Sequence, residues 1–422
     1  MRAPRIGPGW LVLVYAAACV SGAPDPAAGA AGLATAIDSS GDSVIARVSG
    51  AVPSGAVRRL TEELRIAPGV DDTTLFTDIG DYDVDASGRL WVYDRPSKSI
   101  FLFDAGGTLL RHIGRDGAGP GEFRQINGAV VRPDGGIAVW DSQNSRVSFF
   151  DSTGSFVTSR PTPSGFSTNN GLISDRSGSL FLKRPVTAPR PGEILGRMGL
   201  VRLKPEGGLG DSLVPPDLDV PRDTYVATSP DKSGTSSTAS RFAPGYLWAW
   251  HPDGYFVIAN GGTYDITLVR AGLKPLLIRR AAEPVSIAAE ERDEEHARIE
   301  YQMRRTDPGW SWSGPPIPRA KAPLSDLRIA RDGRLWVQVA APSERISDAE
   351  LSPPRDPKAP VNHFRSTVVY EVFSPQGTFL GRIDFPGRSR FIEADGDLVW
   401  AIVRDENDLP ALVRFRITPG LH

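Results

Sequence analysis

The five histidines are the residues whose chemistry would be most informative, and they stand far apart in the sequence: His112, His251, His296, His363 and His422. No two of them have the spacing of a metal-binding pair, so a structural role is preferred for each. The sequence has no Gly-x-Ser-x-Gly turn around a nucleophilic serine. Residues 114–121 are rich in glycine but lack the Lys-Ser/Thr that ends a phosphate-binding loop. The sequence therefore contains no recognisable catalytic motif, and a binding protein is preferred over an enzyme.

A second set of polar residues stands where apolar stretches begin. Its members are Asp78, Asp81, Asn127, Asn169, Asn170, Asp326, Arg390 and Glu393. If those stretches are strands around a common axis, the polar groups converge on a central channel. Two carboxylates with amide oxygens would suit Ca²⁺, which takes about six to eight oxygen ligands. A channel mouth that only holds water and satisfies backbone groups is the preferred alternative.

Two tryptophans follow a stretch that has the composition of a helix. Residues 284–305 are dense in Glu, Arg and Ala and end at a Pro-Gly stop, after which Trp310 and Trp312 come at once. Exposed rings at these positions could stack on sugars or peptide side chains. A hydrophobic plug that pins the helix is the preferred alternative. Four other tryptophans stand in apolar stretches and are predicted to pack between sheets: Trp91, Trp140, Trp336 and Trp400.

The N-terminus has the layout of a secretory signal. Two early arginines precede an apolar run over residues 10–18, so residues 1–23 are predicted to be a signal peptide and residues 24–57 a flexible linker. Cys19 follows two alanines as in a bacterial lipobox, although Ala16 stands where that motif usually has leucine. Lipidation of Cys19 and ordinary cleavage near it are both open. The expected location is outside the cytoplasm, either periplasmic, secreted or anchored by lipid to a bacterial membrane.

Composition narrows the class of protein and of partner. Hydrophobic residues make up 40% of the 422 residues and charged residues 23%, as in a globular protein with a sizeable core. The formal charge of −2 gives no broad field for nucleic acid or for an anionic membrane. The only cysteine is Cys19, so disulfides within the chain are excluded. A monomer that binds a protein, a peptide or a glycan is expected.

The elements that position these residues are visible as a repeat. An apolar strand, a turn ending in glycine and a second apolar strand recur at residues 82–92, 129–139, 172–182, 248–258, 327–337 and 391–400. Each turn needs positive φ at one position, which glycine adopts without steric cost. A second hairpin follows in most copies, as at residues 99–113. One unit is therefore four antiparallel strands.

The spacing of the units predicts a ring. The turn glycines Gly88, Gly135 and Gly178 are separated by the roughly 40 to 50 residues of a propeller blade. The final unit lacks its outermost strand, whereas residues 59–69 resemble an outer strand and have no unit of their own. Pairing the two would close the ring and leave few exposed sheet edges. The prediction is an all-β, six-bladed β-propeller over residues 58–422, whose last blade is completed by the N-terminal strand.

Two segments resemble a known family. Residues 114–123, Gly-Arg-Asp-Gly-Ala-Gly-Pro-Gly-Glu-Phe, and residues 141–147, Asp-Ser-Gln-Asn-Ser-Arg-Val, are similar to the blade connector and third-strand segment of NHL-repeat and TolB-like six-bladed propellers. The resemblance implies the same fold. It implies little about activity, because such propellers serve as interaction platforms, lyases, lactonases and sensor modules. A Ca²⁺-dependent hydrolase or lyase with its site in the channel is accordingly the alternative to a binding or scaffolding module.

Long insertions separate the later units. Residues 185–197, 215–240 and 341–363 are rich in proline, glycine and small polar residues, and a short helix is predicted between units four and five. Loops of this length in a compact fold are usually functional or disordered. The insertions are predicted to crowd one face of the ring and to carry the specificity of binding.

Overall fold

The structure is a computed structural model that describes residues 33–67, 76, 78–189, 195–221, 224–351 and 356–421. The predicted signal peptide, the predicted lipidation site Cys19 and His422 lie outside the described residues. The N-terminal part of the described chain forms three strands, β1 (Ala34–Asp38), β2 (Val44–Ser49) and β3 (Val57–Ile66), with a 3₁₀ turn at Ser54–Ala56 before the third.

The first three blades follow in chain order, each a four-stranded antiparallel sheet. Blade 1 contains β4 (Ile79–Val84), β5 (Leu90–Asp94), β6 (Ser99–Phe103) and β7 (Leu109–Ile113). Blade 2 contains β8 (Ile126–Val131), β9 (Ile137–Asp141), β10 (Arg146–Phe150) and β11 (Phe156–Pro161). Blade 3 contains β12 (Leu172–Ser174), β13 (Leu180–Pro185), β14 (Met198–Leu203) and β15 (Leu209–Leu213).

The second half of the ring carries the insertions. A separate hairpin, β16 (Thr224–Thr228) and β17 (Thr235–Ala239), precedes blade 4, which contains β18 (Tyr246–His251), β19 (Tyr255–Asn260), β20 (Asp265–Val269) and β21 (Leu276–Arg280). The helix α1 (Ala289–Arg304) leads to blade 5. That blade contains β22 (Leu324–Ile329), β23 (Leu335–Val339), β26 (Val369–Phe373) and β27 (Phe379–Asp384). The insertion between β23 and β26 contains the short strands β24 (Glu344–Arg345) and β25 (Phe364–Arg365) and a 3₁₀ turn at Asp348–Glu350. Blade 6 contains β28 (Ser389–Asp395), β29 (Leu398–Arg404) and β30 (Pro410–Thr418).

The turn after each inner strand is fixed by its glycine. All six glycines have positive φ, between 56° and 89°: Gly88, Gly135, Gly178, Gly254, Gly333 and Gly396. A side chain at these positions would strain the backbone, since only glycine adopts this conformation readily. The local turn chemistry thus sets the register of every inner hairpin.

The ring is closed by β3, as predicted. Leu60 pairs with Ile417 and Ile66 with Leu412, so β3 is the outer strand of blade 6. The first residues of β3 also pair in parallel with β27 of blade 5, with Arg58 opposite Ile383. One N-terminal strand therefore joins the last two blades, and the six-bladed β-propeller with a helix between blades 4 and 5 is confirmed.

The predicted flexible linker differs from what the structure shows. Within residues 24–57, β1 and β2 form an antiparallel hairpin, and β2 pairs in parallel with β21. Ala46 and Val48 are 0% and 2% exposed and pack in the core shared by blades 4 and 5. Apolar alternation in β2 stabilises this strand on the edge of blade 4, so residues 34–49 are folded rather than part of a free linker.

The core lies between the sheets. Trp91, Trp140 and Trp336 are fully buried and Trp400 is 4% exposed, which confirms their predicted packing role. Stacking of neighbouring sheets buries both faces of each blade, which a single four-stranded sheet could not achieve. Within the described ranges, no helix has the length and apolar character needed to cross a bilayer.

The strand order determines at which face of the ring the insertions lie. They connect either the second strand of a blade to its third or one blade to the next, and in a four-stranded meander both connections leave from the end where the inner strand starts. We call residues 224–245, 284–323 and 340–368 the cap. Its helix α1 packs on β16 and β17. The predicted crowding of one face is therefore what the topology requires.

Candidate functional site: the axial cavity

A cavity of about 1050 Å³ lies on the axis of the ring and is lined by the inner strands of all six blades. Each blade contributes a residue from the middle of its inner strand: Asp83, Val130, Ile173, Ala249, Arg328 and Ile392. The lining also includes Ala86, Ser87 and Pro133 in the turns that follow the inner strands. The cavity therefore reaches the face of the ring opposite to the cap. No residue of the described cap lines it.

Irregularities in the inner strands direct carboxylates toward this cavity. The register shifts immediately before Asp81 in blade 1, Asp326 in blade 5 and Glu393 in blade 6. An extra residue in one strand re-aims the side chain that follows, and such bulges are frequent beside functional sites. Three blades thus place an acidic side chain in the lining at the same kind of backbone irregularity.

The acidic side of the cavity is held by backbone donors of neighbouring blades. Asp81 accepts hydrogen bonds from its neighbour Tyr82 N (3.0 Å) and, across to blade 2, from Ala129 N (2.9 Å). Asp83 accepts a hydrogen bond from Val131 N (2.6 Å), which lies in β8 of blade 2 together with Ala129. These bonds satisfy inner-strand donors and tie blade 1 to blade 2.

Arg331 of blade 5 contacts carboxylates of blade 1 and blade 6 on this side of the cavity. Arg331 Nη2 of blade 5 donates to Asp83 Oδ1 of blade 1 at 2.7 Å, past blade 6. The backbone N–H of Arg331 donates to Glu393 Oε1 at 3.1 Å, and Ala394 N donates to the same oxygen at 2.9 Å. Asp81, Asp83 and Glu393 are called the acidic cluster below. Arg331 bonds to both blades that carry it, to blade 1 through its guanidinium and to blade 6 through its backbone N–H.

Burial makes these carboxyl groups hold their protons more tightly than usual. Burial raises the pKa of Asp81 to about 7, against the hydrogen bonds from Ala129 and Tyr82. Burial and then the negative charge of Asp83 raise the pKa of Glu393 to about 8. Burial also raises the pKa of Asp83, although Arg331 opposes the shift. Near neutral pH the cluster can both donate and accept protons.

Tyr82 adds a phenol to this side of the cavity. Its side chain is 8% exposed, and its hydroxyl has no hydrogen-bond partner among the described residues. Burial raises the pKa of Tyr82 well above its ordinary value, so the phenol stays protonated. The acidic cluster and this hydroxyl give blades 6 and 1 a hydrogen-bonding surface without a net positive charge.

The opposite side of the cavity is basic and aromatic. Lys183 of β13 places its ammonium group 4.7 Å from the centre of the Trp248 ring. Arg328 donates from Nε to Asp326 Oδ2 at 2.7 Å, and Tyr370 donates its hydroxyl to the same oxygen at 3.1 Å. All of these except Tyr370 line the cavity. The cavity therefore separates an acidic side from a basic one.

Five of the eight predicted channel residues line the cavity: Asp81, Asn169, Asn170, Asp326 and Glu393. The other three do not line it. Asp78 lies just before β4 and pairs with Arg95 at 3.1 Å. Asn127 is 3% exposed, between blades, and its carbonyl oxygen Oδ1 has no partner within the described chain. Arg390 is exposed and does not line the cavity, although its charge acts on Asp81.

The lining does not suit the Ca²⁺ site that the sequence analysis kept as an alternative. In the described residues, no three His, Cys, Asp or Glu side chains are grouped to hold a metal ion. Both oxygens of Asp81 already accept backbone N–H groups, and Glu393 accepts two through one oxygen. A Ca²⁺ ion would need several such oxygens free at once.

Trp310 and Trp312, the candidates for ligand stacking, belong to the core of the cap. Trp310 is 6% exposed rather than exposed, and its Nε1 donates to Val226 O at 2.9 Å. Trp312 is half-buried and stacks on His296, with 4.0 Å between ring centres. Packing against β16 and α1 satisfies both rings, so the alternative of a hydrophobic plug is the one that the geometry favours.

The described histidines also lie away from the cavity lining. Each has a local partner: His112 stacks on Phe101, His251 bonds Gly333 O, His296 stacks on Trp312 and His363 bonds Glu294. These contacts are between neighbouring strands or within the cap. Their geometry agrees with the structural role preferred from the sequence.

Sequence reasoning missed the residues that give the cavity its character: Tyr82, Asp83, Lys183, Trp248, Arg328 and Arg331. Asp83 and Arg328 stand at the same place in the repeat, one residue before the end of the inner strand and two residues after Asp81 and Asp326. A charged residue there was the available signal. Lys183 lies late in a second strand, where a lysine commonly faces solvent, and nothing in the sequence marks its position on the axis.

Comparisons with known proteins agree with this architecture. A family model described as a six-bladed β-propeller, DUF5128, matches residues 71–170. No curated protein is detectably similar to the chain in sequence.

Three solved structures that match the chain are only distantly similar to it in sequence. A Bacteroides fragilis protein provisionally described as exported is 13% identical, with 88% of this chain and 98% of that chain covered and a TM-score of 0.47. A DUF4221 member from Bacteroides vulgatus is 12% identical, with 85% and 98% covered and a TM-score of 0.41. A catalytically inactive virginiamycin B lyase from Staphylococcus aureus is 11% identical, with 85% and 99% covered and a TM-score of 0.39.

Proposed function

We propose that the protein is a binding module that takes up a small ligand, of the size of a short peptide or oligosaccharide, in the axial cavity. The observation that carries the proposal is the cavity itself, about 1050 Å³ lined by charged, amide and aromatic side chains from all six blades. Ligand pockets in proteins typically measure about 300–1,000 Å³ and combine apolar walls with a few polar groups. The size and the mixed lining both match that description.

The cavity is a better candidate than the cap. The cap tryptophans are engaged in packing, and no described cap residue lines the cavity. Ala86 and Ser87, in a turn at the other face, are exposed and line it. A ligand would therefore enter from the face of the turns, and the cap would serve as a lateral support or as a separate surface.

The setting of this function is part of the proposal. The signal-like N-terminus supports export from the cytoplasm, with Cys19 as a lipid anchor where the lipobox is used. The provisional description of the Bacteroides fragilis protein as exported points the same way. Kinship with NHL-repeat and TolB-like propellers rests on residues 114–123 and 141–147.

A cavity-blocking variant tests the proposal. Ser174 lines the cavity in the inner strand of blade 3, and Ser174→Trp would fill part of it. Ser212 is exposed on the outer strand of the same blade, so Ser212→Trp is the matched control. Both variants add the same indole to the same sheet.

The measurement is the shift in melting temperature caused by a panel of tripeptides, tetrapeptides and oligosaccharides. Wild type and Ser212→Trp should be stabilised by the same members of the panel, because a ligand that binds only the folded state raises its stability. Ser174→Trp should lose that response. Stabilisation that persists in Ser174→Trp, or no response of wild type to any member, contradicts binding in the cavity.

A further inference from the structure

Six basic side chains line the axial cavity, and they differ in how far they are neutralised: Arg89, Arg132, Arg176, Lys183, Arg328 and Arg331. Arg89, Arg132, Arg176 and Arg331 form ion pairs with Asp85, Asp134, Asp253 and Asp83 respectively. Lys183 and Arg328 are less neutralised: Arg328 shares its partner Asp326 with the hydroxyl of Tyr370, and Lys183 has no ion pair among the described residues. They lie on the basic side of the cavity, in blades 3 and 5, with Trp248 of blade 4 beside them.

Lys183 has no carboxylate of its own. Among the described residues its ammonium group has no hydrogen bond and no ion pair, and its contact is with the Trp248 ring, 4.7 Å from the ring centre. An ammonium group has three N–H donors. A cation over an aromatic face is attracted to it, but the ring accepts none of those donors strongly. The lysine is thus the least satisfied charge in the lining.

Arg328 is only partly satisfied. Its Nε donates to Asp326 at 2.7 Å, and within the described chain neither terminal nitrogen of the guanidinium has an acceptor. Its side chain is 41% exposed although it lies inside the ring, because that surface faces the cavity. Two N–H groups on one edge of a guanidinium match the two oxygens of a carboxylate or phosphate.

The two positive charges act on each other. The pKa of Lys183 is lowered by burial and then by the positive charge of Arg328, with Asp326 opposing both. Asp326 is engaged by Arg328 and by Tyr370, so one carboxylate stands against two cations. An anion placed between Lys183 and Arg328 would relieve the repulsion and give both groups an acceptor.

We propose that Lys183 and Arg328 form an oxyanion-binding site in the axial cavity, and that the ligand of the proposed binding function carries a carboxylate or a phosphate at the end that meets them. Trp248 provides the apolar surface beside that group. Asn169 and Asn170 line the same cavity and add amide donors. The ligand's other end would then lie toward the acidic cluster. The proposal rests on the proposed function, since it names the chemistry of the same cavity.

Calorimetric titration of the purified protein with acetate, succinate and inorganic phosphate tests the site, each at constant ionic strength. Wild type should bind at least one of these probes. Lys183→Met should weaken that binding by about tenfold or more, as expected for the loss of a charge-assisted hydrogen bond. Lys183→Arg should retain most of it. Lys204→Met, an exposed lysine after β14 of the same blade, is the matched control and should bind as wild type does.

The probes separate the two sources of the chemistry. Binding of the carboxylates alone assigns a carboxylate ligand, binding of phosphate alone a phosphorylated one, and both outcomes support the site. No binding to wild type, or equal binding by Lys183→Met, overturns it. A peptide or oligosaccharide whose binding is lost in Ser174→Trp but unchanged in Lys183→Met would retain the cavity function and remove only the oxyanion site.

Discussion

Single side chains in the cavity are set by the backbone that carries them. A register shift precedes Asp81, Asp326 and Glu393, and the first backbone N–H after each carboxylate donates to it. That donor satisfies part of a buried charge without consuming a side chain. The acidic groups can therefore remain beside the cavity, where burial raises the pKa of Asp81 and of Glu393.

Glu393 gives the clearest pH effect. Its folded pKa is about 8 against an ordinary 4.5, so the folded protein holds a proton that the unfolded chain releases. Stability is then greatest below pH 4.5 and falls as the pH rises toward 8. Glu393→Gln keeps an oxygen for Arg331 N and Ala394 N but cannot ionise. We expect the variant to be more stable than wild type at pH 9, by several kcal/mol at most, because each unit of pKa shift corresponds to about 1.4 kcal/mol.

Thermal unfolding from pH 5 to pH 9 measures this difference. The groups that face Glu393 are Asp83, Arg331 and Tyr82, and Asp81 titrates in the same direction. The variant should therefore reduce the slope rather than remove it. Glu393→Ala removes both hydrogen bonds and should be less stable than Glu393→Gln at every pH. Parallel pH profiles for wild type and Glu393→Gln would show that this carboxyl group is ionised as usual.

At the scale of elements, the cap is a small core of its own. Tyr225, Ile299, Met303 and Trp310 are buried together where β16 meets α1. Glu295 is fully buried in α1 and is paired with Arg241 at 2.7 Å. These contacts join the helix to the hairpin and to the chain just before blade 4. The cap is therefore expected to open without opening the blades.

Trp310→Ala tests the independence of the cap. The change removes a buried ring and the hydrogen bond from Nε1 to Val226 O, which should cost the cap about 3–5 kcal/mol. Amide hydrogen exchange should then accelerate in α1 and in β16, while the inner strands of the blades stay protected. Trp312→Ala, at a half-buried position, should give a smaller effect in the same segments. Faster exchange throughout the blades would mean that the cap and the ring unfold together.

At the scale of the whole molecule, local signals determined what the sequence could reveal. The turn glycines, such as Gly88 and Gly333, recur within a short sequence repeat. Residues 59–69 resemble an outer strand without a unit, and the last unit lacks its outer strand, so the two could be paired from the sequence. The ring and its closure were predictable for that reason. Lys183 and Arg328 line the same cavity only because blades 3 and 5 surround one axis, and no local sequence pattern indicates this proximity.

The hairpin β1–β2 was missed for a related reason. The hairpin lacks the repeated pattern of a strand, a turn ending in glycine and a second strand, and its partner β21 is more than two hundred residues away in sequence. Its apolar alternation, with Ala46 and Val48 on the buried face, indicates a strand but not the sheet edge that receives it. Assignment of such an edge needs the three-dimensional ring.

The two N-terminal attachments should contribute unequally to stability. A chain that begins at Ala51 loses the β1–β2 hairpin and exposes the edge of blade 4, but every blade keeps four strands, so we expect a modest fall in melting temperature and a single unfolding transition. A chain that begins at Pro68 also loses β3, which leaves blade 6 with three strands and breaks the link to blade 5. Because the ring then has two open edges, its blades can separate from the ends, and cooperative unfolding should be lost.

Differential scanning calorimetry of both chains, with a peptide of residues 57–67 added to the shorter one, measures the difference. Recovery of the sharp transition by the peptide identifies β3 as the closing element, whereas a sharp transition near the wild-type temperature without it would mean that the blades hold together through their faces alone.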